Sequence, residues 1–195
     1  MTNMKLPQAF YNQPTDRVAQ HLLGAVLVRR WHGRTIKGII CETEAYIGPH
    51  DLASHASRGR TPRTETMFGP SGFWYIYLIY GMYHCLNIVT EKNGYPAAVL
   101  IRAVVPITGI PKNVKTDGPG KLCKAFNISR SLNATPGYGR NAAIWIEKRK
   151  LDIARSKIKK TPRIGVDYAG AYKNKLWRYV VAPNVIQGAL RQGNR

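Results

Sequence analysis

The chain has 195 residues, with 30 Lys plus Arg against 10 Asp plus Glu, a formal net charge of +20, and it is 44% hydrophobic and 10% aromatic. That length and apolar content exclude a disordered tail and a miniprotein that depends on disulfides, and they allow one domain with a substantial core. The basic excess predicts an anionic partner, whether nucleic acid, acidic membrane or acidic protein, without choosing among them.

From the N-terminus, Thr15 or Asp16 is positioned to cap a short helix, RVAQHLL, closed by Gly24. AVLVRRW reads as a strand, HGR as a turn and TIKGIICETEAY as the return strand. The stretch 47–72, IGPHDLASHASRGRTPRTETMFGPSG, is rich in Gly, Pro, Ser and Thr and reads as a long loop, a kind of segment that in compact domains is usually functional or disordered. FWYIYLIYGMYHCLNIV is β-branched and aromatic, which predicts a hairpin turning near Tyr80-Gly81. AAVLIRAVVPI follows as a strand, GPGKLCKAFNI as a short helix with Pro119 in its first turn, and NAAIWIEK and LWRYVV as strands. Between those last two, KRKLDIARSKIKKTPR is basic and poorly patterned, either a solvated loop or a source of phosphate contacts. The expectation is a single mixed α/β (α+β) domain over residues 1–195, built on an antiparallel sheet, with loose ends at 1–7 and 186–195.

No apolar run approaches the roughly 18 residues of a spanning helix, and MTNMKLPQAFYNQ lacks the apolar core of a signal peptide. A soluble intracellular protein, not secreted, is expected: cytoplasmic or nucleoid-associated in a prokaryote, nuclear in a eukaryote. Cys41, Cys85 and Cys123 are odd in number, far apart and form no CxxC pair, so they read as small buried residues.

The chemistry gathers around ETEAY, residues 42–46. Strand alternation puts Glu42, Glu44 and Tyr46 on one face, with Ile39, Cys41, Thr43 and Ala45 on the other. An arbitrary pair of glutamates is most often a solvated face, but Glu44 leads straight into the loop carrying His50, Asp51 and His55. Such residues can activate water as a general base, bind a metal through Glu44, His50, Asp51 and His55, or sandwich a planar ligand. The H-D-x-x-x-H spacing matches no defensible zinc pattern. Tyr80, ahead of Gly81 at a hairpin tip, is hard to bury and has the character of a side chain that enters a base stack. Asn87 is polar between Leu86 and Ile88, so if buried it must hydrogen-bond or serve recognition. Arg102 interrupts an apolar run and is either an edge residue or a phosphate contact.

Through ETEAYIGP, SRGRTPRTETMFGPSG, YIYLIYGMYHCLNIV, VLIRAV and GPGKLCKAFNI, in that order and spacing, the chain resembles the alkyladenine (3-methyladenine) DNA glycosylase family. The resemblance is densest from Gly38 to Phe126 and extends more weakly over nearly all of the chain. It implies a compact domain with a curved antiparallel sheet and a protruding hairpin that inserts into DNA. The implied activity is monofunctional, metal-free and cofactor-free hydrolysis of the N-glycosidic bond of damaged purines, on double-stranded DNA, by a monomer with no membrane partner. By the same resemblance Glu44 is the general base, while Tyr46, His55 and Tyr77 stack on the flipped base. Tyr80 fills the gap in the duplex, Asn87 excludes guanine and Arg102 contacts phosphate. Glu42 receives no role. The chain departs from the family pattern at His50, where an acid is common, and at Met82-Tyr83-His84. Two rival readings stay open, a metal-dependent nuclease and a noncatalytic nucleic-acid binder.

Overall fold

A computed structural model describes residues 4–148, 151 and 153–192. In chain order the elements are α1 (Gln8–Tyr11), α2 (Thr15–His21), β1 (Val26–Trp31), β2 (Arg34–Ile47), β3 (Trp74–Ile79), β4 (Tyr83–Val89), β5 (Ala97–Thr108), α3 (Pro119–Ala125), β6 (Ile144–Glu147), β7 (Lys159–Thr161), β8 (Arg178–Val180) and α4 (Pro183–Gln192). Among the described residues the strands form one eight-stranded sheet, in the order β3-β4-β5-β2-β1-β6, with β8 and then β7 branching from β2. Every pairing is antiparallel, and the sheet curls toward a half-barrel. The expected α+β class and curved antiparallel sheet are therefore present.

The 14-residue β2 organises the sheet. One of its edges pairs with β5 over 37–47, while the other pairs first with β1 over 34–39 and then with β8 over 42–44. The change of partner coincides with an irregularity in register. Ile40 faces Val104, Glu42 faces Ala103 and Thr43 faces Ile101, so Cys41 on β2 and Arg102 on β5 are each left without an opposite number. Thr43 is fully buried and its hydroxyl donates to Ala19 O of α2 at 2.8 Å, which places the Thr43 face beneath that helix. Alternation then turns Glu42, Glu44 and Tyr46 the other way, as the sequence predicts.

The β3–β4 hairpin lies at the sheet edge and pairs with β5 only through Asn87–Val89, so its outer half projects past the sheet. Tyr80 and Gly81 both have positive φ, 52° and 69°, the sign pattern of a type I′ turn. At α3, a Cβ on Gly120 would lie 2.8 Å from the Tyr83 ring, so glycine is what lets the hairpin rest on this helix.

Two local expectations are corrected. α2 begins at Thr15 after Pro14, with no side-chain cap. The Thr15 hydroxyl is instead drawn to Glu91 Oε1 at 2.5 Å and sits 3.0 Å from the Thr90 hydroxyl, a buried contact that outweighs capping. The basic run contains a short strand, β7, with Arg155, Lys157, Lys159 and Lys160 exposed; residues 149, 150 and 152 of that run lie outside the described residues. Both ends make contacts with the domain where they are described. Leu6 N donates to Ile146 O at 2.8 Å, and α4 carries the chain from 183 to 192 with Ile186 fully buried. Among the described residues, no helix is long and apolar enough to cross a membrane.

Candidate active site

The two glutamates of ETEAY meet one arginine. Arg102 Nε donates to Glu42 Oε1 at 2.8 Å and its Nη1 donates to Glu44 Oε2 at 3.3 Å. Arg178 on β8 donates from Nε to the same Glu42 oxygen at 2.7 Å. Two carboxylates and two guanidinium groups thus form a neutral cluster. Burial by itself disfavours the charged Arg102 guanidinium, but Glu44 and Glu42 outweigh it and raise its pKa. Arg102 is therefore not an open edge residue, β5 lying between β4 and β2. Its side chain is 13% exposed and committed to the glutamates, although it also lines the cavity described below.

Glu44 is fully buried and accepts three hydrogen bonds, from Arg102 Nη1, from the Tyr46 hydroxyl at 2.9 Å and from the backbone N–H of Ile164 at 2.9 Å. Burial, then the charge and hydrogen bond of Glu44, push the Tyr46 phenol well above its usual range, so it stays a proton donor. Ile164 is delivered by its neighbour. Arg163 and Asp51 form a two-pronged ion pair with both side chains at 0% exposure, including Nη2 to Oδ1 at 2.8 Å. Arg163 also donates to Ala45 O at 2.9 Å and lies over the rings of Tyr46 and Trp177. Asp51 accepts in addition from Ile47 N and Ala53 N. One buried pair therefore ties the loop after β2 to the segment that reaches Glu44.

Asp51 is thus committed elsewhere than the metal reading expects. Its oxygens are filled by four donors, His50 is exposed, and the described residues contain no grouping of three or more His, Cys, Asp or Glu side chains able to hold a metal.

Beside the cluster opens a cavity of about 450 Å³, the size range of small-ligand sites. Tyr46, His55, Tyr77, Asn87 and Arg102 all line it, with Tyr80 at the rim, so the sequence-predicted residues converge; only Glu44 lies behind the wall, covered by Tyr46 and Arg102. The rings of His55 and Tyr77 meet edge to face at 4.5 Å. Asn87 is 2% exposed and its Nδ2 donates to Tyr75 O at 3.0 Å and Cys85 O at 3.3 Å, which fixes the amide in the wall. Tyr80 is 83% exposed, flanked by exposed Met82 and Tyr83.

The sequence reading missed three participants. Tyr75 shares a 2.9 Å hydrogen bond with His55 Nδ1, and Arg63 stacks its guanidinium over Tyr77 at 5.3 Å. Both had a signal: Tyr75 stands two residues before Tyr77 on the same strand face, and Arg63 belongs to a basic cluster just after His55. Ile164 acts through its backbone, which leaves no mark in residue type.

A comparison with known families and proteins agrees with this geometry. The sequence model of the methylpurine-DNA glycosylase (MPG) family matches residues 9–185. A Myxococcus xanthus protein named "Putative 3-methyladenine DNA glycosylase" is 50% identical over 173 residues, covering 89% of this chain and 88% of its own. Proteins of the same name from Methanocella arvoryzae and Legionella pneumophila (strain Corby) are 49% and 46% identical, over 89% and 92% of this chain and 90% and 96% of theirs. The chain belongs to the methylpurine-DNA glycosylase family. Its class is that of the monofunctional DNA glycosylases, hydrolases of the base–sugar bond.

His55 provides a test of the cavity's polarity. Burial first, then Arg63 and Arg58, lower its pKa from 6.5 to about 4, so the ring is neutral when folded. Between those values the unfolded chain binds a proton that the folded chain does not, and stability contributed by this group falls as pH falls. The wild type is expected to lose more stability than His55→Phe between pH 6.5 and 4 in urea unfolding; parallel curves would show that His55 titrates normally.

Proposed function

We propose that this chain excises damaged purines, alkylated or deaminated, by flipping the nucleotide from duplex DNA into the aromatic cavity and hydrolysing its N-glycosidic bond with a water activated by Glu44. The observation that carries this reading is Glu44 itself: a buried carboxylate held by Arg102, Tyr46 and the Ile164 N–H directly behind an aromatic wall. A carboxylate has about four lone-pair positions, and three are taken, which leaves one to accept a proton from water. Cleavage builds positive charge on the sugar, and an anion held rigidly in a dry site stabilises it far better than it would in solvent. A noncatalytic binder has no use for this group, because burying an ionised carboxylate costs several kcal/mol before its partners offset the loss.

Extrusion of a base costs a few kcal/mol and is cheapest for damaged or mispaired bases, so selection begins before chemistry. Stacking on Tyr46, Tyr77 and neutral His55 returns about 1–3 kcal/mol. Tyr80, on a projecting hairpin, is the side chain that takes the vacated place in the duplex. Asn87, with its amide fixed by Tyr75 O and Cys85 O, narrows the pocket where guanine carries its exocyclic amine. An alkylated purine already bears positive charge and leaves easily. The net charge of +20 supplies the salt-sensitive grip on phosphate that supports a search along DNA. All of the groups invoked lie in one chain, consistent with action as a monomer.

The deciding experiment uses a labelled duplex with one hypoxanthine or ethenoadenine, incubated in EDTA with wild type or Glu44→Gln and then treated with alkali. The wild type should give strand breaks at the lesion only after alkali, and Glu44→Gln should slow excision about 100-fold or more while still binding lesion DNA. No wild-type cleavage, repeated on 3-methyladenine DNA, would leave a binder on a borrowed scaffold.

Tyr80→Ala should weaken binding to lesion duplex about tenfold with little change in excision from single strands, because the latter have no stack to fill; equal losses on both substrates would remove the wedge role. Asn87→Ala should raise release of undamaged guanine from duplex DNA. Unchanged discrimination would count against its gatekeeping.

A further inference from the structure

Glu42 has no part in the mechanism above, yet two arginines converge on one of its oxygens and its side chain is only 15% exposed. A guanidinium held at Nε has its plane and the direction of its Nη atoms set. For Arg102 that direction is Glu44, whose Oε2 lies 3.3 Å from Nη1. Arg178 cannot swing away either. Its Nη1 donates to Thr161 Oγ1 at 3.1 Å, and its backbone pairs with Glu44 across β8 and β2.

We infer that Glu42 is a positioning residue for the excision reaction: it restrains Arg102 so that the guanidinium touches Glu44 at one point only. The alternative open to an unrestrained Arg102 is a two-pronged fork on Glu44, the strongest arrangement for that pair. Such a fork takes the lone pair that the reacting water needs and holds more positive charge on the base. Glu42 works against it by competing for Nε, and Arg178 keeps Glu42 in place to do so. Arg102 stands on β5 alongside Glu42, within the register irregularity, and from there its side chain reaches both acids. The inference rests on the glycosylase reading and adds to it the reason for the doubled acid in ETEAY.

The test measures single-turnover excision by the full-length chain at saturating protein, alongside the Kd for the same lesion duplex. Glu42→Ala is expected to lower the rate about 30-fold with Kd within about twofold, and Glu42→Gln, which keeps a neutral oxygen for both Nε groups, to lower it about threefold, in the range of other supporting residues. In an Arg102→Gln background, Glu42→Ala should change the rate by less than about twofold, because the group it restrains is gone. Equal losses in both backgrounds, or a loss that appears only in Kd, would overturn the inference. Should Glu42→Ala fail to fold, Arg178→Gln carries the expectation at about threefold with unchanged Kd, and an unaltered rate there overturns it. Wild-type excision that is lost in Glu44→Gln but intact in Glu42→Ala overturns this inference alone. A wild type that excises nothing overturns the glycosylase reading and this inference together.

Discussion

Two acids on one strand face, both withdrawn from water, cannot stay ionised without cations at hand, and the structure is arranged around supplying them. Arg102 reaches both from β5, at the place where the β2–β5 register slips at Cys41 and recovers at Arg102. Arg178 reaches Glu42 because β2 exchanges its partner from β1 to β8 at the same place. Loss of one partner from such a cluster leaves a buried charge uncompensated, an effect of about 3–5 kcal/mol where it has been measured. The surrounding cations are thus the condition for holding Glu44 in the interior, and the flanking pairs Ile40–Val104 and Thr43–Ile101 share one register that sets Arg102 alongside Glu42.

A second buried pair does for the loops what the first does for the strands. Asp51 and Arg163 are 112 residues apart in sequence and fully enclosed. Their contact fixes both the segment that carries His55 to the cavity and the segment that aims the Ile164 N–H at Glu44. The long loop 47–72 is consequently a packed structure, with Ala53, Ala56, Thr64 and Met67 buried within it. Such packing suits the proposed stacking on a planar group, since a wall that moves loses stacking energy.

What could be read beforehand divides along a physical line. The shared face of Glu42, Glu44 and Tyr46 follows from strand alternation, and the exposed Tyr80 follows from a bulky residue ahead of glycine at a turn. Both are local consequences of backbone geometry. The destination of Arg102 is not local: nothing in LIRAV announces a register slip, so an edge position or a phosphate contact was the natural expectation. The same holds for Asp51, whose neighbours His50 and His55 suggest a metal until the distant Arg163 is seen to occupy it. Helix α4 is different. Val185, Ile186, Ala189 and Leu190 form an apolar stripe behind Pro183, a usable signal that Gly188 and the nearby chain end obscure.

The charge distribution completes the logic of the site. The excess of +20 is spread largely over exposed side chains such as Arg58, Arg60, Lys159 and Lys160, while the charges around Glu44 and Asp51 cancel. A cavity with a free interior cation would trap phosphate from the very backbone the surface attracts. Here Arg102 and Arg163, the arginines closest to Glu44, are already paired with carboxylates, and the walls offer tyrosine rings and an uncharged histidine. Phosphate is held outside by desolvation and by the nearby acids, whereas an uncharged or cationic planar group gains stacking. The same cancellation that makes two glutamates tolerable in the core therefore disfavours a phosphate in the cavity and favours an uncharged or cationic ring there.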